Sequence, residues 1–216
     1  MNASNRNNHT YNTQWGGNDE KVARLLSGVR ATFTNLRTSA AERFDYKLFE
    51  DLDGYKYDKF DKTWSYYQAY LEEFSDANVV IGISISGDSA SISLPILYAK
   101  IMKPTGEPFH TVKSLDFLVD DRVFTFENVY EGDSESLVYL GSSGQYLVEE
   151  LAKATIVSVR LGLGFSSITI DIPAKDYQDT IKVISETLVK YDVWQFYTDK
   201  EFLKKVDTIF PLTISD

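Results

Sequence analysis

The chain has 216 residues, 43% apolar and 25% charged, with 32 acidic against 22 basic side chains and a net charge of −10. That composition supports a folded core and excludes general disorder, and the deficit of Lys and Arg argues against a phosphate-backbone binder, so direct nucleic-acid binding is not expected. With no cysteine, thiol catalysis, Cys-ligated zinc, iron–sulfur centres and disulfides are excluded, and no apolar run approaches the roughly 18 residues of a transmembrane segment.

Residues 1–17 are Asn-rich, polar and aperiodic, and end in Gly16-Gly17, which reads as a flexible tail. A single α+β domain is expected over 18–216, with a mainly helical part at 18–76 and hairpins and helices at 77–216. Asn18 and Asp19 are placed to cap a helix in which Val22, Leu25, Leu26, Val29, Phe33 and Leu36 recur at helical spacing. Its opposite side carries Lys21, Arg24, Arg30 and Arg37. Phe60, Trp64, Tyr67, Leu71 and Phe74 step by four, three, four and three, predicting a second helix with these five side chains in the core.

From residue 79 the period changes to two. Ile81, Ile83 and Ile85 lead through a Gly87-Asp88 turn to Ile92 and Leu94, a half-buried hairpin whose second strand Pro95 bulges or places at an edge. A second hairpin joins Leu115, Phe117 and Val119 to Phe124 and Phe126 through Asp120-Asp121, and 136–140 adds a short strand. Ser142 with Gln145 has the capping-box spacing before Leu147, Val148 and Leu151. Val157, Val159 and Leu161 then pair through Gly162-Leu163-Gly164 with Ile168, Ile170 and Ile172. Pro173 suits the first position of a helix carrying Tyr177, Ile181, Ile184, Leu188 and Tyr191 on one face. A shorter helix at 199–206 and an apolar tail, Ile209 to Ile214, finish the chain. Strands joined by tight turns imply an α+β fold: an antiparallel sheet of successive β-hairpins, packed with an N-terminal helical segment and C-terminal helices.

Catalytic motifs are sparse. His9 and His110 are the only histidines, and Gly141-Ser142-Ser143-Gly144 is one residue short of a nucleophile elbow. Gly162-x-Gly164 lacks the third glycine of a dinucleotide fingerprint, with Ser167 in its place and a strand rather than a helix following. Asp51, Asp53, Asp58 and Asp61 suggest a hard-cation loop, but Tyr55 and Lys62 occupy ligand positions of an EF-type pattern, so no metal is expected. No enzymatic activity and no cofactor are expected.

Residues 44–74 hold eleven aromatics in 31 positions. The presumed helical stripe leaves Tyr66 and Tyr70 off the core, beside Tyr55 and Tyr57 in the acidic loop. Tyrosine gives contact area at low entropic cost. The expected binding surface is therefore Tyr55, Tyr57, Tyr66 and Tyr70 with Asp58 and Asp61, offered to a protein partner of basic surface by a non-enzymatic interaction module. The alternative is an exported, tethered surface or periplasmic protein that uses the same aromatics to bind a small molecule or glycan. Met1 as the native start favours the cytoplasm, and a removed leader favours export.

Overall fold

A computed structural model describes residues 45–88, 91–131, 136–197 and 199–216. The expected tail at 1–17 and helix over 18–37 lie outside the described residues.

Two antiparallel sheets carry the fold. The first runs β1 (Tyr55–Asp58), β2 (Thr63–Glu73), β3 (Asn78–Asp88), β4 (Ile96–Met102), β9 (Ser136–Tyr139) and β8 (Tyr130–Glu131), with β5 (Pro108–His110) also on β4. The second runs β11 (Ser167–Ile172), β10 (Val157–Gly162), β6 (Ser114–Val119), β7 (Arg122–Phe126) and β12 (Leu212–Ser215). Helix α1 spans Ser142–Lys153. Helix α2 starts as Ala174–Tyr177, widens to a π-turn at Gln178–Lys182 and continues as Val183–Lys190. Helix α3 spans Lys200–Ile209. The class is α+β, built from hairpin-linked strands with a C-terminal helical part.

The mainly helical reading of 18–76 does not hold over 45–76, where a short 3-10 turn, Tyr46–Phe49, is followed by β1 and β2. The segment Thr63–Glu73 carries three Tyr together with Thr63 and Trp64, which suit a pleated, half-buried surface. It pairs with β3 along its whole length, from Thr63↔Asp88 to Glu73↔Asn78. The i, i+4 and i, i+3 spacing that suggested a helix is also met by chance in an aromatic-dense strand, and the long ladder decides between them.

The remaining elements follow the expected order. Chain reversal after Gly87-Asp88 occurs, but only a Gly87↔Ile92 bridge follows it, and regular pairing resumes after Pro95 at Ile96. Asp120 and Asp121 form the two-residue turn between β6 and β7. Gly164, with φ +94°, turns β10 into β11 as a tight hairpin loop requires. The apolar tail is a strand, β12, on the free edge of β7.

The capping box is replaced. Helix α1 has Gly141 at its N-cap with no side-chain cap. Asp207 of α3 accepts instead from Ser143 N (3.1 Å) and Ser143 Oγ (2.7 Å). A carboxylate at a helix N-terminus satisfies orphan N–H groups and favours the dipole. Here it also ties α3 to α1.

Helix α2 packs on β2 and β3, and α1 packs on α2. Tyr146 and Glu150 of α1 reach Arg122 of β7, and the Tyr146 ring lies 6.0 Å from Phe124. The α1–α2 pair thus links the two sheets, and their facing apolar side chains join one buried cluster that includes Ile81, Phe117, Leu147 and Ile184. Polar ties close it: Trp194 Nε1 donates to Leu140 O (3.1 Å), and Tyr197 Oη donates to Ser93 O.

Asp120 has left-handed backbone, φ +51°, and its carboxylate accepts from Thr155 N, Ile156 N and Thr155 Oγ1 at 3.0–3.1 Å. The Ile156 and Thr155 amides hold this carboxyl below the usual carboxylate range. Its stabilising contribution is therefore present above the ordinary carboxyl pKa of 3.8 and is lost as pH falls through the depressed value. Asp120→Asn keeps the left-handed conformation accessible while removing the charge. It is expected to destabilise the chain by about 1 kcal/mol at neutral pH, less than the roughly 1.5–3 kcal/mol of hydrogen bonds to a charged group because solvent screens this exposed turn, with the gap to wild type closing in acid. Urea unfolding across pH checks both.

Candidate functional site

The β1–β2 hairpin gathers the aromatic residues of 44–74 that the structure describes. Strand β1 pairs with β2 from Tyr55↔Tyr66 to Asp58↔Thr63, so Tyr55, Tyr57, Trp64 and Tyr66 share one face. That is the face on which α2 sits. The 3-10 turn before β1 is capped by Asp45, whose carboxylate accepts from Lys47 N at 3.1 Å. It brings Tyr46 and Phe49 onto this face.

The rings form a continuous offset stack. Tyr57 faces Tyr46 at 6.4 Å, Tyr46 faces Trp64 at 6.0 Å, Trp64 faces Phe49 at 5.5 Å, and Phe49 faces Tyr66 at 5.2 Å. Tyr191 of the segment after α2 meets Phe49 edge-on at 5.6 Å. Each such pair adds about 0.5–1.5 kcal/mol beyond area burial. The stack runs from solvent to core: Tyr57 is 43% exposed, whereas Trp64 is 2% and Tyr66 0% exposed.

The hairpin tip is Lys59–Lys62. Asp58 Oδ1 accepts from Phe60 N (2.8 Å) and Asp61 N (3.2 Å), and Lys62 takes left-handed backbone at φ +54°. Asp58 therefore organises the turn. Phe60 stands at that tip 97% exposed.

Of the six expected site residues, the structure brings Tyr57, Asp58 and Asp61 together at an exposed hairpin end. Tyr55 is half-buried, and its hydroxyl is buried with no hydrogen-bond partner among the described residues. Tyr66 and Tyr70 are corrected: both are core, at 0% and 5% exposure. The strand places Trp64, Tyr66 and Tyr70 on one side at even spacing, so side chains that fall off a helical stripe become the buried set. Phe60 and Phe74, expected in the core, are exposed, and Tyr67 and Leu71 are only half-buried. Phe60, Tyr46 and Phe49 are the residues that the helical reading missed. The alternation Trp64, Tyr66, Gln68, Tyr70 was the signal that pointed to a strand.

Burial raises the pKa of the Tyr66 hydroxyl, which has no partner at hydrogen-bonding geometry among the described residues, although the neighbouring Thr187 hydroxyl pulls the other way. The Tyr70 hydroxyl donates to Glu72, and burial followed by that bond and the Glu72 charge raises its pKa. Burial, then Glu50, raises that of Tyr55. None of these phenols is activated as a nucleophile or base near neutrality.

The charge around the hairpin is mixed. Asp45, Glu50, Asp51, Asp53, Asp58 and Asp61 are exposed, but so are Lys47, Lys56, Lys59 and Lys62. Lys56 lies over the Tyr67 ring at 5.0 Å. Among the described residues no group of three or more His, Cys, Asp or Glu side chains is placed to hold a metal ion. Among them, too, no helix is long and apolar enough to cross a membrane. His110, in β5, is exposed and lies 4.1 Å from the Phe109 ring. No family model, no curated protein and no solved structure matches this chain.

Leaving a buried hydroxyl unpaired costs about 1–3 kcal/mol. Tyr66→Phe is therefore expected to match or exceed wild-type stability, while Tyr66→Ala opens a cavity and loses about 3–5 kcal/mol. Urea denaturation of the two variants measures the difference.

Proposed function

We propose that this protein is a non-enzymatic interaction module that docks a protein partner on the β1–β2 hairpin. The observation that carries the proposal is Phe60, 97% exposed at a turn locked by Asp58, beside the exposed ring of Tyr57. An exposed aromatic on a mobile loop must be ordered when it binds, whereas Tyr57 is already held by Tyr46 and the stack behind it. Burying a phenylalanine side chain is worth about 1.5–3 kcal/mol, and aromatic anchors dominate interface energetics.

Charge sets the second part of the proposal. Net −10 over the chain steers a basic partner and raises its on-rate. The four lysines at the hairpin dilute this locally, so contact rests on the rings and long-range attraction on the whole body. Binding of a small molecule or glycan has less to rest on, because these rings stack on one another rather than around an open cleft.

The test is affinity for the proteins retained from the native host by the tagged full chain. Tyr57→Ala with Phe60→Ala is expected to weaken the specific partner at least tenfold, about 1.4 kcal/mol or more. The melting temperature should stay within about 2 °C, as for other substitutions of exposed side chains. Raising salt should slow association, through screening of the overall charge. Unchanged binding by the folded double variant rejects the hairpin as the contact surface.

A further inference from the structure

The outermost strands of the two sheets are unequal. β1 is four residues long and carries Lys56, β8 has two residues, β5 opens with Pro108, and β12 is a four-residue strand that follows Pro211. Shortness, lysine and proline each blunt an edge against pairing with another chain. β11 has none of these devices. Its six residues, Ser167–Ile172, pair with β10 without a register shift, and among the described residues no strand or loop bonds to its other side. Helix α2 leads away from it to pack on α1, β2 and β3.

The hairpin turn fixes which backbone groups this edge presents. Leu163 N donates to Ser166 O at 2.8 Å. Bonded pairs alternate along an antiparallel ladder, so Leu161↔Ile168, Val159↔Ile170 and Val157↔Ile172 are the pairs that bond to each other. The N–H and C=O groups of Ser167, Thr169 and Asp171 therefore point away from β10. Their side chains are exposed, while Ile170 and Ile172 enter the core. Two apolar side chains lie at opposite ends of the β10–β11 pair: Phe165, fully exposed in the turn, and Ile156, exposed just before β10.

We infer that β11 is a docking edge for a second copy of this chain, joined antiparallel about a two-fold axis at Thr169. In that register the edge complements itself over its full length. Thr169 faces Thr169 of the copy, Ser167 faces the copy's Asp171, and Phe165 lies opposite the copy's exposed Pro173, with Ile156 on the strand beyond. Cross-strand threonine pairs and hydrogen bonds from serine to a carboxylate favour such a ladder. Moving the register by two residues in either direction shortens it. Moving it by four toward the C-terminal end sets Asp171 against Asp171, a repulsive pair. Each copy carries a net charge of −10, so salt should favour association by screening their mutual repulsion. One strand pair with two apolar ends is at the small end of specific interfaces, so the Kd is expected on the order of 50 µM.

Amide exchange in the full-length 15N-labelled chain, at about 0.3 M salt, tests this. With that Kd, mass action leaves about a fifth of a ~500 µM sample monomeric, against about three quarters at ~10 µM. The amides of Thr169 and Asp171 are therefore expected to exchange about fourfold more slowly in the concentrated sample. Thr169→Pro removes a donor that only the second copy uses, and proline is tolerated on an edge where the lost N–H faces solvent. Thr169→Lys keeps the donor but sets like charges face to face. Each is expected to abolish the concentration dependence at Asp171, and Thr169→Lys decides the matter if the proline variant does not fold. Exchange equally fast at both concentrations means an open edge, and exchange equally slow means an edge covered within one chain. Dependence that survives Thr169→Lys means a different interface. Any of these three results overturns the inference.

Discussion

The ladder between β2 and β3, eleven residue pairs from Thr63↔Asp88 to Glu73↔Asn78, is the constraint on which the rest of the molecule depends. Once that register is set, period-two alternation leaves no freedom about which side chains meet α2. Trp64, Tyr66 and Tyr70 on one strand and Ile81, Ile83 and Ile85 on the other must face it together. A slip by one residue would put Gly82, Ser84 and Ser86 against the helix and all three isoleucines outside. The same register fixes β1 at the edge and seats the Tyr46–Phe49 turn over Trp64.

Polar contacts between residues far apart in sequence tie the helices to one another and the β6–β7 turn to the chain that enters β10. Asp207 caps α1 across 64 positions, and Asp120 ties the β6–β7 turn to Thr155 and Ile156. Lys182 Nζ reaches Ala154 O at 3.0 Å, and Tyr177 Oη donates to Leu151 O, its pKa raised first by burial and then by the Asp120 and Glu186 charges. Each bond satisfies a group at the end of an element, where regular structure leaves donors or acceptors unpaired. The buried hydroxyls of Tyr55 and Tyr66 depart from this pattern. Tyr66 belongs to the aromatic stack, and Tyr55 lies opposite it on the same face of the hairpin.

At the hairpin, one stack of rings runs from the core to the surface. Its inner members, Trp64, Phe49 and Tyr66, belong to the core, and its outermost ring, Tyr57, is held by them at the surface. Phe60 projects beyond this from a turn that Asp58 closes. The contact surface proposed for this hairpin needs no cleft, no metal and no activated side chain. It needs only a rigid base and a partner that supplies apolar area.

The sequence by itself determined the elements whose signals are local. Isoleucine alternation at 81–85, the Asp120-Asp121 and Gly162–Gly164 turns, and the apolar face from Tyr177 to Leu188 each follow from side-chain period or turn chemistry. Antiparallel hairpins and the α+β class were legible for the same reason. Only the tertiary structure decided the state of 63–73, because its aromatic spacing fits both a helix and a strand, and pairing with β3 selects the strand. That choice moved Tyr66 and Tyr70 from the expected binding surface into the core and brought Phe60 out of it. It likewise decided that α1 is capped by Asp207 rather than by its own Ser142 and Gln145. A partner 64 residues away leaves no mark in local sequence, since folding, not chain proximity, brings the carboxylate to the helix end.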